Sequence, residues 1–180
     1  DAARIIAEAQ ASDKTAPKQV PALLKEEKQA PFLRANLALA YARNLSGNRV
    51  YEEALGALKS VTVEQVADPG AYLFHRAVAE HALMQKKEAI TSVLRLINEV
   101  QDAPDRYLAL GGMMLNDMLA WKADEKGLGN IGKLMDNVER RLDLSRGGPE
   151  TQEIQKKILF RLDELIKEKE NQCKGGNCNG

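Results

Sequence analysis

The two histidines of the chain, His75 and His81, are the first candidates for chemistry. Six positions apart, they sit about 240° from one another around a helix. A metal pair needs positions three or four apart on one face, so both read as groove or surface residues. Asp102 and Asp105 flank Ala103-Pro104. Two loop carboxylates could hold a weak cation, but capping the helix that follows is their commoner use. Asp117, Asp124 and Glu125 form no recognised acid/base pair. Ser145 stands beside Arg146-Gly147-Gly148, which is neither a nucleophile elbow nor a phosphate loop. The latter needs a Gly-rich turn with Lys-Ser/Thr opening a helix. Gly147-Gly148-Pro149 instead stops one helix and starts another. Arg140, Arg141 and Arg146 could meet an anion, although a solvated, salt-bridged face explains them more simply. Met113, Met114, Met118 and Met135 have the spacing of core fillers, not of a cofactor box. No catalytic residue, metal site or cofactor is therefore expected, and the chain does not read as an enzyme.

The elements that must position any site follow from composition. The chain has 180 residues, 44% apolar and 29% charged, which fits one globular domain over 1–172 and a flexible Gly/Asn/Cys tail over 173–180. Aromatics are only 4%, while Ala, Leu, Glu, Lys, Gln and Arg are abundant, which favours helix. Lys plus Arg and Asp plus Glu both number 26, so the basic surplus that nucleic acid or an anionic membrane would require is missing. No apolar run approaches the roughly 20 residues of a transmembrane helix. The first residue is Asp1, which fits either an arbitrary boundary or a mature exported protein whose leader has been removed. Cys173 and Cys178 either close a small disulfide loop, as in an oxidising compartment, or remain two free thiols. Two thiols alone cannot complete a four-ligand zinc site.

Apolar spacing predicts an all-α protein of about nine helices. Short ones cover Ala2–Ala11 and Val20–Gln29. Pro31 opens the next, which ends at Ser46-Gly47-Asn48, and Val50–Ser60 is its partner. Thr62-Val63-Glu64-Gln65 has the form of a capping box. After the turn residues Asp68-Pro69-Gly70 come Ala71–Met84 and Lys86–Val100, then Arg106–Lys122. Asp124–Asn130 reads as a loose turn. Ile131–Leu142 and a final helix from Pro149 form a C-terminal hairpin, about 126–170, whose last helix carries one apolar stripe on a charged cylinder.

The hairpins recur. Leu73 is followed 34 residues later by Tyr107, and Ala77 by Gly111. Ala54 lies 35 residues before Ala89. Leu37-Ala38-x-x-Tyr41 with Tyr51-x-x-Ala54, Leu73-x-x-x-Ala77 with Ala89 and Val93, and Tyr107-x-x-Leu110-Gly111 with Ala123 resemble tetratricopeptide repeats over about 31–125. The copies depart from the pattern by an enlarged turn at Leu45–Asn48, a missing Tyr in the second and a degraded second helix in the third. The resemblance implies a short α-α superhelix with additional terminal helices. Further on, Val138-Glu139-Arg140-Arg141-Leu142-Asp143-Leu144-Ser145-Arg146-Gly147-Gly148-Pro149 and Leu162-Asp163-Glu164-Leu165-Ile166 are similar to a segment of uncharacterised exported planctomycete proteins. That likeness carries no activity; it implies export.

The tetratricopeptide register implies a concave groove lined by the first helix of each hairpin. Its residues would be Phe32, Asn36, Leu39 and Arg43, then Phe74, His75, Val78 and His81, then Leu108, Gly112, Leu115 and Asn116. Arg43 is the single fixed cation of that lining. Such a groove either receives a protein or peptide partner or is filled by a terminal helix of its own chain. The expected function is non-enzymatic protein–protein interaction or scaffolding. The alternatives are self-association through the last helix, giving a homo-oligomer, and, third, an unorthodox helical enzyme.

Overall fold

The computed structural model describes residues 2–11, 16–25, 30–121 and 127–174, and among them the fold is all-α: eight α-helices and no strand. The helices are α1 (Ala2–Gln10), α2 (Pro31–Gly47), α3 (Tyr51–Lys59), α4 (Pro69–Ala82), α5 (Lys86–Glu99), α6 (Asp105–Ala120), α7 (Leu128–Asp143) and α8 (Pro149–Lys174). Among the described residues no helix is long and apolar enough to cross a membrane. The chain divides into two compact units, Asp1–Ala120 and Trp121–Gly180.

Local chemistry sets the helix ends. Pro31 and Pro69 occupy the first turns of α2 and α4, where a missing N–H costs nothing. Asp68 caps α4, its Oδ1 accepting from the Ala71 amide at 2.8 Å. The Thr62–Gln65 box forms, with the Thr62 amide donating to Gln65 Oε1 at 3.1 Å, but it heads only the 3-10 turn Val63–Gln65. The helix expected over Val20–Gln29 is reduced to a 3-10 turn at Ala22–Leu24; its end, 26–29, lies outside the described residues. Pro21 adopts the extended geometry its ring favours and keeps a helix from entering from Val20. The loose turn expected before α7 lies partly at 122–126, also outside the described residues.

In the first unit, α2 pairs with α3 and α4 with α5, and α6 follows against α5. The first helices also touch in succession, α2 on α4 and α4 on α6, while α1 packs on α2. Ala38 and Ala77 are wholly buried in these seams, beside Tyr41, Leu45, Leu58, Leu73 and Leu96. Gly111 is less demanding than the tetratricopeptide resemblance implies: an added methyl would lie 3.5 Å from Val93 and 3.6 Å from Leu96, an ordinary contact.

The hairpin turns share one geometry that nothing in their residue types announces. Arg49, Met84 and Ser145 adopt φ of 61°, 60° and 56°. In each case the following amide reaches back over the helix end: Val50 to the Leu45 carbonyl at 2.9 Å, Gln85 to Glu80 at 2.8 Å and Arg146 to Arg141 at 2.7 Å. This is the Schellman closure, whose left-handed residue is usually glycine. Arg49 and Met84 stand at the same interval as Ala54 and Ala89, so the turn repeats with the helices. Ser145 is exposed, so Ser145→Gly removes only the backbone strain and is expected to stabilise by about 0.5–1 kcal/mol. Ser145→Val should destabilise instead; equal midpoints in urea for both variants would contradict this account.

In the second unit, α7 and α8 pack on a small core of Ile131, Val138 and Ile158, supported by Leu134, Ile154, Leu162 and Leu165. The arginines Arg140 and Arg141 are not on a solvated face: they are 3% and 6% exposed. Arg141 Nε donates to Thr151 Oγ1 at 2.8 Å and Nη2 donates to Glu150 at 2.7 Å, while Thr151 donates to the Arg146 carbonyl. This knot ties the start of α8 to the end of α7. The last helix continues to Lys174, so Cys173, expected in a flexible tail, is exposed on its final turn. Cys178, and with it the expected disulfide, lies outside the described residues.

Candidate functional site

A cleft of about 500 Å³ opens on the first unit, lined by Ala40, Arg43 and Asn44 of α2, His75 of α4, and Arg106 and Tyr107 of α6. It is built by α2, α4 and α6, and two of the expected groove residues, Arg43 and His75, meet in it. Phe74 lies behind it, its ring stacked on Tyr107 at 4.2 Å between centroids, and His75 meets the edges of both rings.

The other expected lining residues are placed elsewhere. Leu39 is core, 4% exposed, because it shares the arc of α2 that carries the wholly buried Ala35 and Ala42. Asn36 holds the loop before α4: its Oδ1 accepts from the Ala67 amide at 2.9 Å, and its Nδ2 donates to the Phe32 carbonyl. Phe32 is exposed on the first turn of α2. His81 Nε2 pairs with Asp117 Oδ2 at 2.8 Å, linking α4 to α6. Val78, Leu108, Gly112 and Leu115 are half-buried and Asn116 is exposed, all outside the cleft lining.

Sequence reasoning missed Arg106. The groove lining was counted from Leu108, yet Arg106 stands one residue into α6 beside Tyr107, where a first-turn side chain can lean back over the neighbouring helix. Its guanidinium lies 5.0 Å from the Tyr107 ring centroid, a cation–π distance. Neither Arg43 nor Arg106 is ion-paired with a described residue. The cleft is therefore cationic as well as aromatic.

No family model, curated protein or solved structure matches this chain. What the cleft can do must come from its own chemistry. Burial lowers the His75 pKa from 6.5 to about 4, with Arg43 and Arg106 pushing the same way and Asp68 opposing them. At neutral pH the ring is thus uncharged, and its buried Nδ1 has no hydrogen-bond partner in the structure. Among the described lining residues no carboxylate, thiol or serine accompanies it.

This shift carries a pH dependence. Above pH 6.5 the ring is neutral in both folded and unfolded chains, and its contribution to stability is complete. As pH falls from 6.5 towards 4 the unfolded chain takes up a proton that the folded chain refuses, so stability declines, by on the order of 2–3 kcal/mol in all. His75→Phe preserves the ring packing and should flatten that part of the stability–pH curve. An unchanged slope in urea titrations of the variant would refute the assignment.

Proposed function

We propose that the first unit is a non-enzymatic binding module that takes an extended peptide across α2, α4 and α6, with an anionic group of the peptide held by Arg43 and Arg106. The observation that carries this reading is the convergence of two unpaired guanidiniums on one aromatic-walled cleft. Paired arginines recognise a carboxylate or phosphate by charge-assisted hydrogen bonds. Neutral His75 adds an uncharged hydrogen-bonding group between them. The hairpin stacking and the repeated turns at Arg49 and Met84 support a tetratricopeptide-like scaffold, in which first helices present the binding face. The lining supports binding over catalysis, because among the described lining residues His75 has no carboxylate, thiol or serine beside it.

The test is a peptide array probed with the full chain, followed by calorimetry on the best binders. Capture of acidic or phosphorylated peptides that is lost on replacing Arg43 and Arg106 supports the proposal. Binding that is indifferent to both arginines removes the cleft from consideration.

A further inference from the structure

The helices of the second unit carry more apolar surface than a two-helix hairpin uses. One stripe on each, Ile131 and Val138 on α7 and Ile158 on α8, meets in the small core. A second stripe stands beside it and faces solvent: Leu128, Met135 and Leu142 on α7, at 71%, 53% and 49% exposure, and Leu159 and Ile166 on α8, at 63% and 54%. Within each helix these exposed residues recur every seven positions. Seven residues make two helical turns, so each set forms a straight seam of the kind that meets another helix. Between the two seams lies a groove of about 620 Å³, with Met135, Leu142 and Leu159 on its walls and Val138 and Ile158 at its floor. A helix with one neighbour needs one apolar seam, whereas a helix in a four-helix bundle needs two.

We infer that this face is the interface with a second copy of the chain, the two α7–α8 hairpins closing into a four-helix bundle. Area supports a second copy. The five exposed side chains offer on the order of 500 Å² of apolar surface, so two faces together would bury on the order of 1,000 Å², the lower bound for a biological interface and the size of a reversible one. A two-fold pairing also doubles a core that among the described residues centres on three buried apolar side chains, and it needs only one self-complementary patch. Orientation follows from charge. Glu139 edges the groove on α7, so laying α7 on its own copy would oppose like charges, whereas α7 against the partner's α8 separates them.

Sedimentation velocity on the full chain over a wide concentration range tests this. The expected result is a reversible rise from the mass of one chain, 19.9 kDa, to that of two. Leu142→Lys with Leu159→Lys places charges in both seams at solvent-exposed sites and should raise the dimer dissociation constant at least tenfold. Phe160→Ser, also exposed but about 100° around α8 from Leu159, should leave it unchanged. Circular dichroism confirms that each variant keeps its helix content, and Met135→Lys with Ile166→Lys serves as a second pair should the first misfold. A single-chain mass at every concentration overturns the inference, as does a dimer that both seam pairs leave intact.

Discussion

Arg76→Met is expected to lower stability by about 3–5 kcal/mol, the cost of leaving a buried charge without its partner. Glu80 is wholly inaccessible to solvent. Its carboxylate accepts from Arg76 Nε at 2.9 Å and from Ser92 Oγ of α5 at 2.6 Å. Arg76 also donates to the Tyr72 hydroxyl at 3.1 Å, and that hydroxyl lies 3.2 Å from the Leu58 carbonyl and 3.1 Å from that of Val61. One network thus joins α3, its following turn, α4 and α5. Burial by itself would lower the Arg76 pKa, but the hydrogen bonds and charges of Glu80 and Tyr72 outweigh it and raise the value. With methionine at 76 the inaccessible carboxylate keeps a single side-chain donor, the Ser92 hydroxyl.

Two comparisons make the result diagnostic. Arg95–Glu99 has the same spacing and a distance of 2.9 Å, but it lies at the surface, so Arg95→Met should cost less than about 0.5 kcal/mol. Replacing both partners, Arg76→Met with Glu80→Leu, should recover most of the loss, because apolar side chains of similar volume leave no stranded charge. Urea unfolding followed by circular dichroism measures all three. If Arg76→Met proves as mild as Arg95→Met, the network does not hold the hairpins together.

The second large effect concerns binding. Arg43→Ala with Arg106→Ala should weaken capture of an acidic peptide about 100-fold, since each charge-assisted contact contributes about 1.5–3 kcal/mol and the two are shared by one anionic group. Each single variant should lose about tenfold. Stability should hardly change, because both side chains are exposed and neither is ion-paired with a described residue. Affinity for the unaltered cleft should fall with added salt, as exposed charges are screened within about 10 Å at 0.1 M. Arg106→Lys separates charge from geometry: it keeps the cation but loses the planar group over Tyr107, so a partial loss is expected. Calorimetry with the same peptide across these variants would show the pattern. A double variant that binds as tightly as the parent would place the anion elsewhere.

The helices themselves could be read from the chain. Apolar spacing, prolines in first turns and the Asp68 cap are local, and a helix depends mostly on neighbours within four positions. Pairing of sequential helices is local too, and α2 with α3 and α4 with α5 pack as neighbours in the chain. Local signals fail where the deciding contact is distant. The Schellman turns at Arg49, Met84 and Ser145 use residues with no special preference for positive φ, so no residue type announces them. Arg140 and Arg141 looked like surface charge until Thr151, Glu150 and Asn137 gave them partners in a buried turn. Leu39 was assigned to a groove because periodicity tells which residues share a face, not which neighbour that face meets.

Sequence spacing reads His75 as a groove or surface residue; its depressed pKa comes from burial and from arginines on two other helices. The chain by itself determined an all-α protein of successive hairpins, since those follow from periodic burial along each segment. Only the tertiary structure decided that Arg43 and Arg106, far apart in sequence, share one cleft, and that the heptad stripes of α7 and α8 face solvent. Both depend on how helices are stacked and rotated, and that is set by the packing of all of them at once, not by any one helix.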